Sequence, residues 1–497
     1  MRQSLLLLGL TALATSACTV GPNYVEPVAP VPDEFTRAAE SQEPAVEEPT
    51  LDPALLEWWA ALGDDQLTDL VRRAMESNLD VRVALARIEE ARAFRRAQGG
   101  RLLPTVGSSA TGGRQRASGQ GPGPLAGLAE AGLAELTNDL YTVGFDAAWE
   151  LDLFGRVRRA KEASQARLES VEESRRSLLL VVAADVAATY VEWTGASERL
   201  RLAERNLELQ ESTLDTIEVN VSAGLAPPLD LQRSRSQVET VRASLPPLRT
   251  QRAAAEHRLA VLLGRPPGGL DLRADAAVPV PPTAIASGLP SDLVWRRPDL
   301  RAAERQLHAA NADIGAAIGD RFPIVSLGGS RGFEAGSLSD LLEAASRTWT
   351  YGPRIDLPIF RGGQLKAAVE SARARYEIAS ANWQNAVLGA LDEVETALVG
   401  YAESKNQEQA FSRAAEAGQE ATELAQILFD EGLTDFLNLL DAQRSQTQTD
   451  DGHALARIGR AQRAIALYRA LGGGWEALDA LATPPEGQTS SADSTSD

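Results

Sequence analysis

Cysteine is nearly missing from this sequence: there is one in 497 residues, so no disulfide can form within the chain. Histidine is almost as scarce. His257, His308 and His453 each fall in a predicted helix with no companion at ligand spacing, so no metal centre is expected. A Gly-rich phosphate loop of Walker type is absent, and no catalytic constellation is visible. The chain is therefore not read as an enzyme, and no cofactor is expected. Past the extreme N-terminus no stretch offers the roughly 20 apolar residues that a membrane helix needs, and mean hydropathy is −0.19. Any membrane span must then be a β-barrel, whose sequence signal is weaker. Positive charge is also in short supply, with 49 Lys and Arg against 69 Asp and Glu. The net charge of −20 argues against a nucleic-acid partner and is met more simply by a solvated acidic face.

Residues 1–17 read as an export signal: Arg2, the apolar run SLLLLGLTALA, then small residues. The single cysteine, Cys18, falls where cleavage would occur. Two fates are open to it, lipid acylation or removal with the signal. Thr15 stands where bacterial lipoprotein signals usually carry leucine.

The first half of the chain is echoed in the second. The segment 78–104, NLDVRVALARIEEARAFRRAQGGRLLP, matches 297–323, RPDLRAAERQLHAANADIGAAIGDRFP, with Asp80 and Asp299, Ala84 and Ala303, and Pro104 and Pro323 each 219 positions apart. WELDLFGRVRRA around Phe154 answers IDLPIFRGGQLKA around Phe360. Gly224 answers Gly432 and Gly264 answers Gly472, both at an offset of 208. Ordered matches of this kind identify a tandem duplication.

Each unit reads as helix, strand, loop, strand, long helix, turn, helix. Across 141–153, Tyr141, Val143, Phe145, Ala147, Trp149, Leu151 and Leu153 alternate with Thr142, Gly144, Asp146, Ala148, Glu150 and Asp152. Period two over 13 residues is enough for a tilted strand to cross a bilayer. The second copy repeats it, with Trp349, Tyr351, Pro353, Ile355, Leu357 and Ile359 on one face. Weaker, Gly-rich partner strands follow Pro104 and Pro323. A soluble sheet with one wet face would show the same alternation. Four strands cannot close a barrel in lipid, because open edges leave backbone groups unpaired. A membrane reading therefore requires several chains to pool strands, and three would supply twelve.

From Arg156 to about Gly224 there is no proline, so roughly 68 residues could run near 100 Å as one helix. The segment from Gly363 to Gly432 could do the same. Shorter return helices follow, from about Pro228 and past Gly432, and the pair Pro246–Pro247 should kink the first of them. At the first turn Gly224 can end the long helix and the prolines can start the return. At the second, Gly432 is the terminator and Thr434 or Asp435 offers an N-cap. Leu437, Asp441 and Arg444 follow at spacings of four and three, which places them on one helical face. Asp230, Asp435 and Asp441 can also be read as acids that favour helix starts through the dipole.

These residues resemble the TolC family of outer-membrane efflux proteins, specifically its lipoprotein branch often labelled NodT. The start CTVGPNYVEP, the stretch EWWAALGDDQLTDLV at 57–71, the central LPSDLVWRRPDLRAAERQLHAANADIGAA at 289–317, GLTDFLNLLDAQRS at 432–445 and LYRALGGGW at 467–475 carry the likeness in order and spacing. The resemblance implies an α+β membrane protein, a homotrimer with a twelve-stranded outer-membrane β-barrel, four strands per protomer, continuous with a periplasmic α-helical barrel. It implies a passive exit duct for drugs or other small molecules, lipid-anchored in the bacterial outer membrane, working with a periplasmic adaptor and an inner-membrane pump of the resistance-nodulation-division type. By the same resemblance Leu437 and Asp441 form constriction rings at the periplasmic mouth and Arg444 joins the polar links that hold it shut, with Asp230 as a plausible partner. Gly224, Leu225, Gly432, Leu433, Thr434 and Asp435 would meet the adaptor, and Cys18 would carry lipid. Competing readings are a protein-secretion duct of the type I class, a periplasmic coiled-coil lipoprotein without a pore, and an exported enzyme.

The organisation expected is a signal at 1–17, an N-terminal extension at 18–54, a first repeat at 55–265 with strands near 105–116 and 140–153 and a tip near 222–230, and a Pro-rich equatorial linker at 266–296. A second repeat follows at 297–475 with strands near 322–333 and 347–359 and a tip near 430–438, and then a disordered tail at 476–497.

Overall fold

The computed structural model describes residues 19–29, 31, 32, 35, 53–116, 118, 131, 137–273, 275–283, 285 and 290–482. The main elements are α1 (Asp65–Ser77), α2 (Leu79–Gly100), β1 (Thr105–Arg116), β2 (Thr137–Glu150), α3 (Arg156–Ser222) and α4 (Pro228–Leu262). They continue with α5 (Pro298–Gly319), β3 (Ile324–Ala335), β4 (Arg347–Asp356), α6 (Gln364–Asp430), α7 (Phe436–Ala470) and α8 (Trp475–Ala482). The duplication is visible in element lengths. α2 and α5 both have 22 residues, β1 and β3 both 12, α3 and α6 both 67, α4 and α7 both 35.

The chain divides into two compact units, one of 1–27, 89–170 and 304–382, the other of 28–88, 171–303 and 383–497. The first holds an antiparallel sheet in the order β1-β2-β3-β4, so each repeat contributes one hairpin and the two hairpins pair through β2 and β3. The register sorts side chains cleanly, because directly paired residues share a face. One face carries Val106, Ala147, Gly329 and Tyr351 in one row and Trp149, Leu327 and Pro353 in the next. The other carries Gly107, Asp146, Ser330 and Thr350, then Ser109, Gly144, Gly332 and Thr348. The apolar face is open: Val106, Phe145, Trp349 and Tyr351 are all exposed.

The strand limits differ from those expected. β2 occupies Thr137–Glu150 rather than 140–153. Asp152 takes a left-handed φ of 43°, and its carboxylate accepts the amides of Val157 and Arg158 at 2.9 Å each. The chain thus turns out of the sheet to close the first turn of α3. β3 begins at Ile324 because Pro323 has no amide for the ladder, and β4 ends at Asp356, two residues before Pro358. Phe154 and Phe322 stack at 4.7 Å beside these junctions, and Arg156 holds Glu150 at 2.7 Å.

The segment after residue 18 is bolted to this unit. Val20 N donates to Phe154 O at 3.1 Å, and Arg159 reaches Asn23 Oδ1 at 2.7 Å. Tyr24 stacks on His308 at 4.2 Å and donates its hydroxyl to Glu304. Burial, and then the bond to Glu304, raise the Tyr24 hydroxyl well above the usual tyrosine range, so it stays a donor. Gly21, at φ 98°, lies against Gly315 so closely that a Cβ would fall 2.4 Å from the Gly315 Cα.

The second unit has the larger core. Trp58 stacks on Tyr468 at 5.6 Å and meets Trp59 edge-on. Leu67, Leu70, Val71, Tyr190 and Leu259 fill in around them, each almost fully buried. Asp64 caps α1 through the amides of Gln66 at 2.8 Å and Leu67 at 3.0 Å and also receives the Tyr190 hydroxyl at 2.9 Å. Arg297 is buried, and burial opposes its charge. Its bonds to Asp299 at 2.7 Å and Glu393 at 2.9 Å nonetheless hold its pKa above the ordinary value. One window of α3 is apolar enough to cross a membrane by composition, and 72% of it is buried within the protein. That composition belongs to a packed core helix.

A further expectation is corrected. Residues 476–482, expected in a disordered tail, form most of α8, with Leu478 and Ala482 buried. Trp475 anchors that helix beneath the guanidinium groups of Arg176 and Arg301, at 4.9 and 5.3 Å, an arrangement favoured by the ring quadrupole. Residues 483–497 lie outside the described residues, as does Cys18. Pro246 and Pro247 lie inside α4, which is one helix from Pro228 to Leu262.

The close approach of β2 and β3 yields a direct test. A Cβ on Gly332 would lie 2.3 Å from the Val143 carbonyl, whereas nothing lies within 4 Å at Gly352 on the same face. Gly332→Val is expected to lower the temperature at which the folded protein survives in SDS. Gly352→Val is expected to leave it within a few degrees of the parent.

Candidate functional site: the two hairpin tips

The turns that join α3 to α4 and α6 to α7 are built alike. α3 ends in Gly224 at φ 71°, with Leu225 N donating to Asn220 O at 2.8 Å and Gly224 N to Val221 O at 3.1 Å. α6 ends in Gly432 at φ 69°, with Leu433 N donating to Leu428 O at 2.8 Å and Gly432 N to Phe429 O at 3.0 Å. Both are Schellman closures that need a left-handed residue, which glycine adopts without a Cβ clash. Each leaves a leucine outside: Leu225 is 79% exposed and Leu433 74%. The return helices start differently. Pro228 opens α4 at its first helical position, where its missing amide costs nothing. Asp435 caps α7 by accepting the Asn438 amide at 3.1 Å, while Thr434 Oγ1 receives the Asn438 side chain at 2.9 Å. Of the two N-cap candidates, Asp435 fills the role and Thr434 braces it.

A small apolar cluster fixes the tip. Ile217, Phe436 and Leu440 are buried together, with Val221, Leu231 and Phe429 packed around them. Buried Gln443 extends the join, accepting from Gln210 at 3.1 Å and donating to Thr213 Oγ1 at 3.3 Å. Exposed pairs tie α3 to α4 along the hairpin: Arg235 with Glu218 at 2.9 Å, Arg242 with Glu211 at 2.7 Å and Arg249 with Glu204 at 3.2 Å. Exposed and screened by solvent, each such pair contributes little alone, so they act as a set.

Leu437, Asp441 and Arg444 do share one face of α7, and all three are exposed. Arg444 Nε donates to Gln237 Oε1 at 2.8 Å, linking α7 to α4. Asp230 does not meet Arg444 within the protomer. It sits in the first turn of α4 with Arg233 at 3.4 Å. Sequence reasoning missed Gln237 and Gln443, the amides that join the helices here. Glutamines at core-facing helical positions are the only signal that could have marked them.

An amphipathic four-stranded sheet with two unpaired edges, together with paired helical hairpins, defines a channel-type outer-membrane protein whose strands close only with other strands. The chain belongs to the outer membrane efflux protein family, which it matches over residues 70–265 and 289–473, one match for each repeat. It is 36% identical over 481 residues to the outer membrane protein OprJ of Pseudomonas aeruginosa, covering 94% of this chain and 95% of that one. It is 32% identical over 484 residues to the toluene efflux pump outer membrane protein TtgC of Pseudomonas putida, covering 96% of each. Among solved structures it superposes on the outer-membrane channel OprN with a TM-score of 0.84 at 35% identity, over 92% of this chain and all of that one. The protein is thus an outer-membrane channel component of an efflux system, a duct of TolC type and not an enzyme.

The tip cluster carries a stability prediction. Phe436→Ala removes a nearly fully buried ring, a loss of about 3–5 kcal/mol in a well-packed site. Hydrogen exchange of the amides at 217–225 is expected to accelerate by two orders of magnitude or more, with the amides of α1 unchanged.

Proposed function

We propose that three copies of this chain close a twelve-stranded barrel and that the hairpin tips form its periplasmic gate. The open edges of β1 and β4 support the first part. In lipid an unpaired strand edge is not tolerated, and one protomer leaves two of them. Pairing β4 of one copy with β1 of the next satisfies both in a closed ring, and three copies give an even strand number within the range of such barrels.

The gate reading rests on the exposed face of α7. With threefold symmetry each of its side chains occurs three times around the axis. Leu437 would narrow the passage sterically, and Asp441 would raise the local negative potential and favour cations, as charged rings do in channels. The Arg444–Gln237 bond links α7 to α4 at this level and could be broken without disturbing the cluster around Phe436. Opening by an outward swing of α7 would break it, together with any link Arg444 or Asp230 makes to a neighbouring copy. Each link is worth on the order of 1 kcal/mol. A periplasmic adaptor contacting Gly224, Leu225, Gly432, Leu433, Thr434 and Asp435 could offset that cost, since the two leucines there present apolar surface with no internal partner.

The remaining assignments follow from the same reading. An inner-membrane pump of the resistance-nodulation-division type supplies the energy, because the duct has no machinery to do so. The relation to a toluene efflux channel supports small apolar molecules as cargo. Cys18 carries the lipid: Thr19 and Val20 are held at the foot of β2 and α3, where an acyl chain on the preceding residue would reach the inner leaflet.

Two measurements test this. Electron microscopy of detergent-extracted protein is expected to show a hollow trimer, and a monomer would refute the closure. In a planar bilayer the double variant Asp441→Ala, Arg444→Ala is expected to open more readily, by roughly fivefold in the open-to-closed ratio for each 1 kcal/mol removed. Conductance equal to that of the parent would reject the gate.

A further inference from the structure

The apolar face of the sheet holds an anomaly. Its row Ser108, Phe145, Arg331, Trp349 and the next row toward the loops, Ala110, Val143, Phe333, Arg347, each contain an arginine. Arg331 and Arg347 are exposed on the face that meets hydrocarbon, where a cation is disfavoured in proportion to its depth. The other arginines of the sheet with an acid at hand use it. Arg114 holds Asp139 at 2.6 Å, and Arg354 on the opposite face holds Asp356 at 2.9 Å. Among the described residues Asp139 is the one acid on the apolar face, and Arg114 occupies it. Arg331 and Arg347 have no ionic partner among the described residues.

Their spacing adds to the argument. Arg331 pairs with Trp349 and Arg347 with Phe333, so the two arginines are diagonal neighbours on adjacent strands. Such positions lie roughly 7–8 Å apart. Two like charges at that distance, facing a medium of low dielectric, repel unless an anion sits between them. Two guanidinium groups reaching inward from that separation can share one phosphate, the anion whose oxygens best match their planar fork. The surroundings fit an amphiphile rather than a free ion. Phe145, Trp349 and Tyr351 are 67%, 69% and 79% exposed beside the pair, and Trp349 and Tyr351 stack at 5.3 Å, a wall for acyl chains beneath a headgroup.

The position selects the leaflet. Arg347 is the first residue of β4 on the loop side, and Arg331 lies four residues from the loop end of β3, about 13 Å along the strand. The opposite ends of all four strands lead to helices. Both positions therefore lie in the loop-side half of the bilayer, from which a long arginine side chain can reach the interface. We propose that Arg331 and Arg347 together bind the phosphate of a phosphorylated lipid in the outer leaflet, with Phe145, Trp349 and Tyr351 against its chains. This rests on the barrel reading, since it requires that face to meet lipid.

Native mass spectrometry of the detergent-extracted protein with bisphosphorylated lipid A tests the site. The parent is expected to retain the lipid and to release it neither to the same lipid stripped of phosphate nor to an equal concentration of inorganic phosphate. The double variant Arg331→Gln, Arg347→Gln should bind about tenfold more weakly or worse, the equivalent of one charge-assisted hydrogen bond. Arg354→Gln, on the polar face, should bind like the parent. Equal retention by the double variant, equal retention of the dephosphorylated lipid, or displacement by phosphate ion would each overturn the proposal. Should the glutamine variant fail to assemble, Arg331→Lys with Arg347→Lys keeps the charge and is expected to bind between parent and glutamine levels, and parent-like binding would count against paired guanidinium recognition. A parent that never forms a barrel would instead sink the closure on which the site depends.

Discussion

A peptide group in hydrocarbon has no water to bond, and every larger feature of this protein follows from how its strand edges meet that constraint. β2 and β3 satisfy one another, joining the two repeats into a single sheet. β1 and β4 are left with one free edge each. A soluble protein could cover such edges with charge or a helix. In a membrane protein those edges can be met only by other strands, so the functional object is larger than the chain.

The same economy governs the helices. The duplication gives two helical hairpins closed by the same glycine-dependent turn, at Gly224 and Gly432, and two further helix ends closed likewise at Gly264 and Gly472, where φ is 66° in both. Identity of backbone leaves the side chains free to diverge. The first tip begins its return helix with a rigid proline and no side-chain cap, whereas the second uses Asp435 and Asn438. It is the second return helix that carries Leu437, Asp441 and Arg444 on its exposed face. The repeated frame thus ends in two chemically different tips.

How much was legible in advance depended on the kind of signal. Alternation from Tyr141 to Trp149 and the matched spacing of glycines are local and periodic, and they placed strands and turns to within a few residues. The ends of β2 and β4 were misjudged because Asp152 and Pro358 act through backbone geometry that residue alternation does not encode. The short helix after Gly474 was invisible as a pattern, since its stability comes from Trp475 lying under two distant arginines. Gln237 and Gln443 were missed for a related reason: an amide is informative only when its partner across the helix interface is known.

By itself the sequence determined the duplicated unit, the order of helices and strands, the exported and non-catalytic character, and the family. Each of these is written in periodicity, glycine positions and motif order, which depend on neighbours along the chain. Only the tertiary structure decided that Arg444 bonds Gln237 and not Asp230, that the segment after residue 18 is pinned through Tyr24 and His308, and that two arginines with no ionic partner among the described residues lie diagonal to one another on the apolar face. Those relations join residues far apart in sequence, and they are set by strand register and helix packing, which no local pattern specifies.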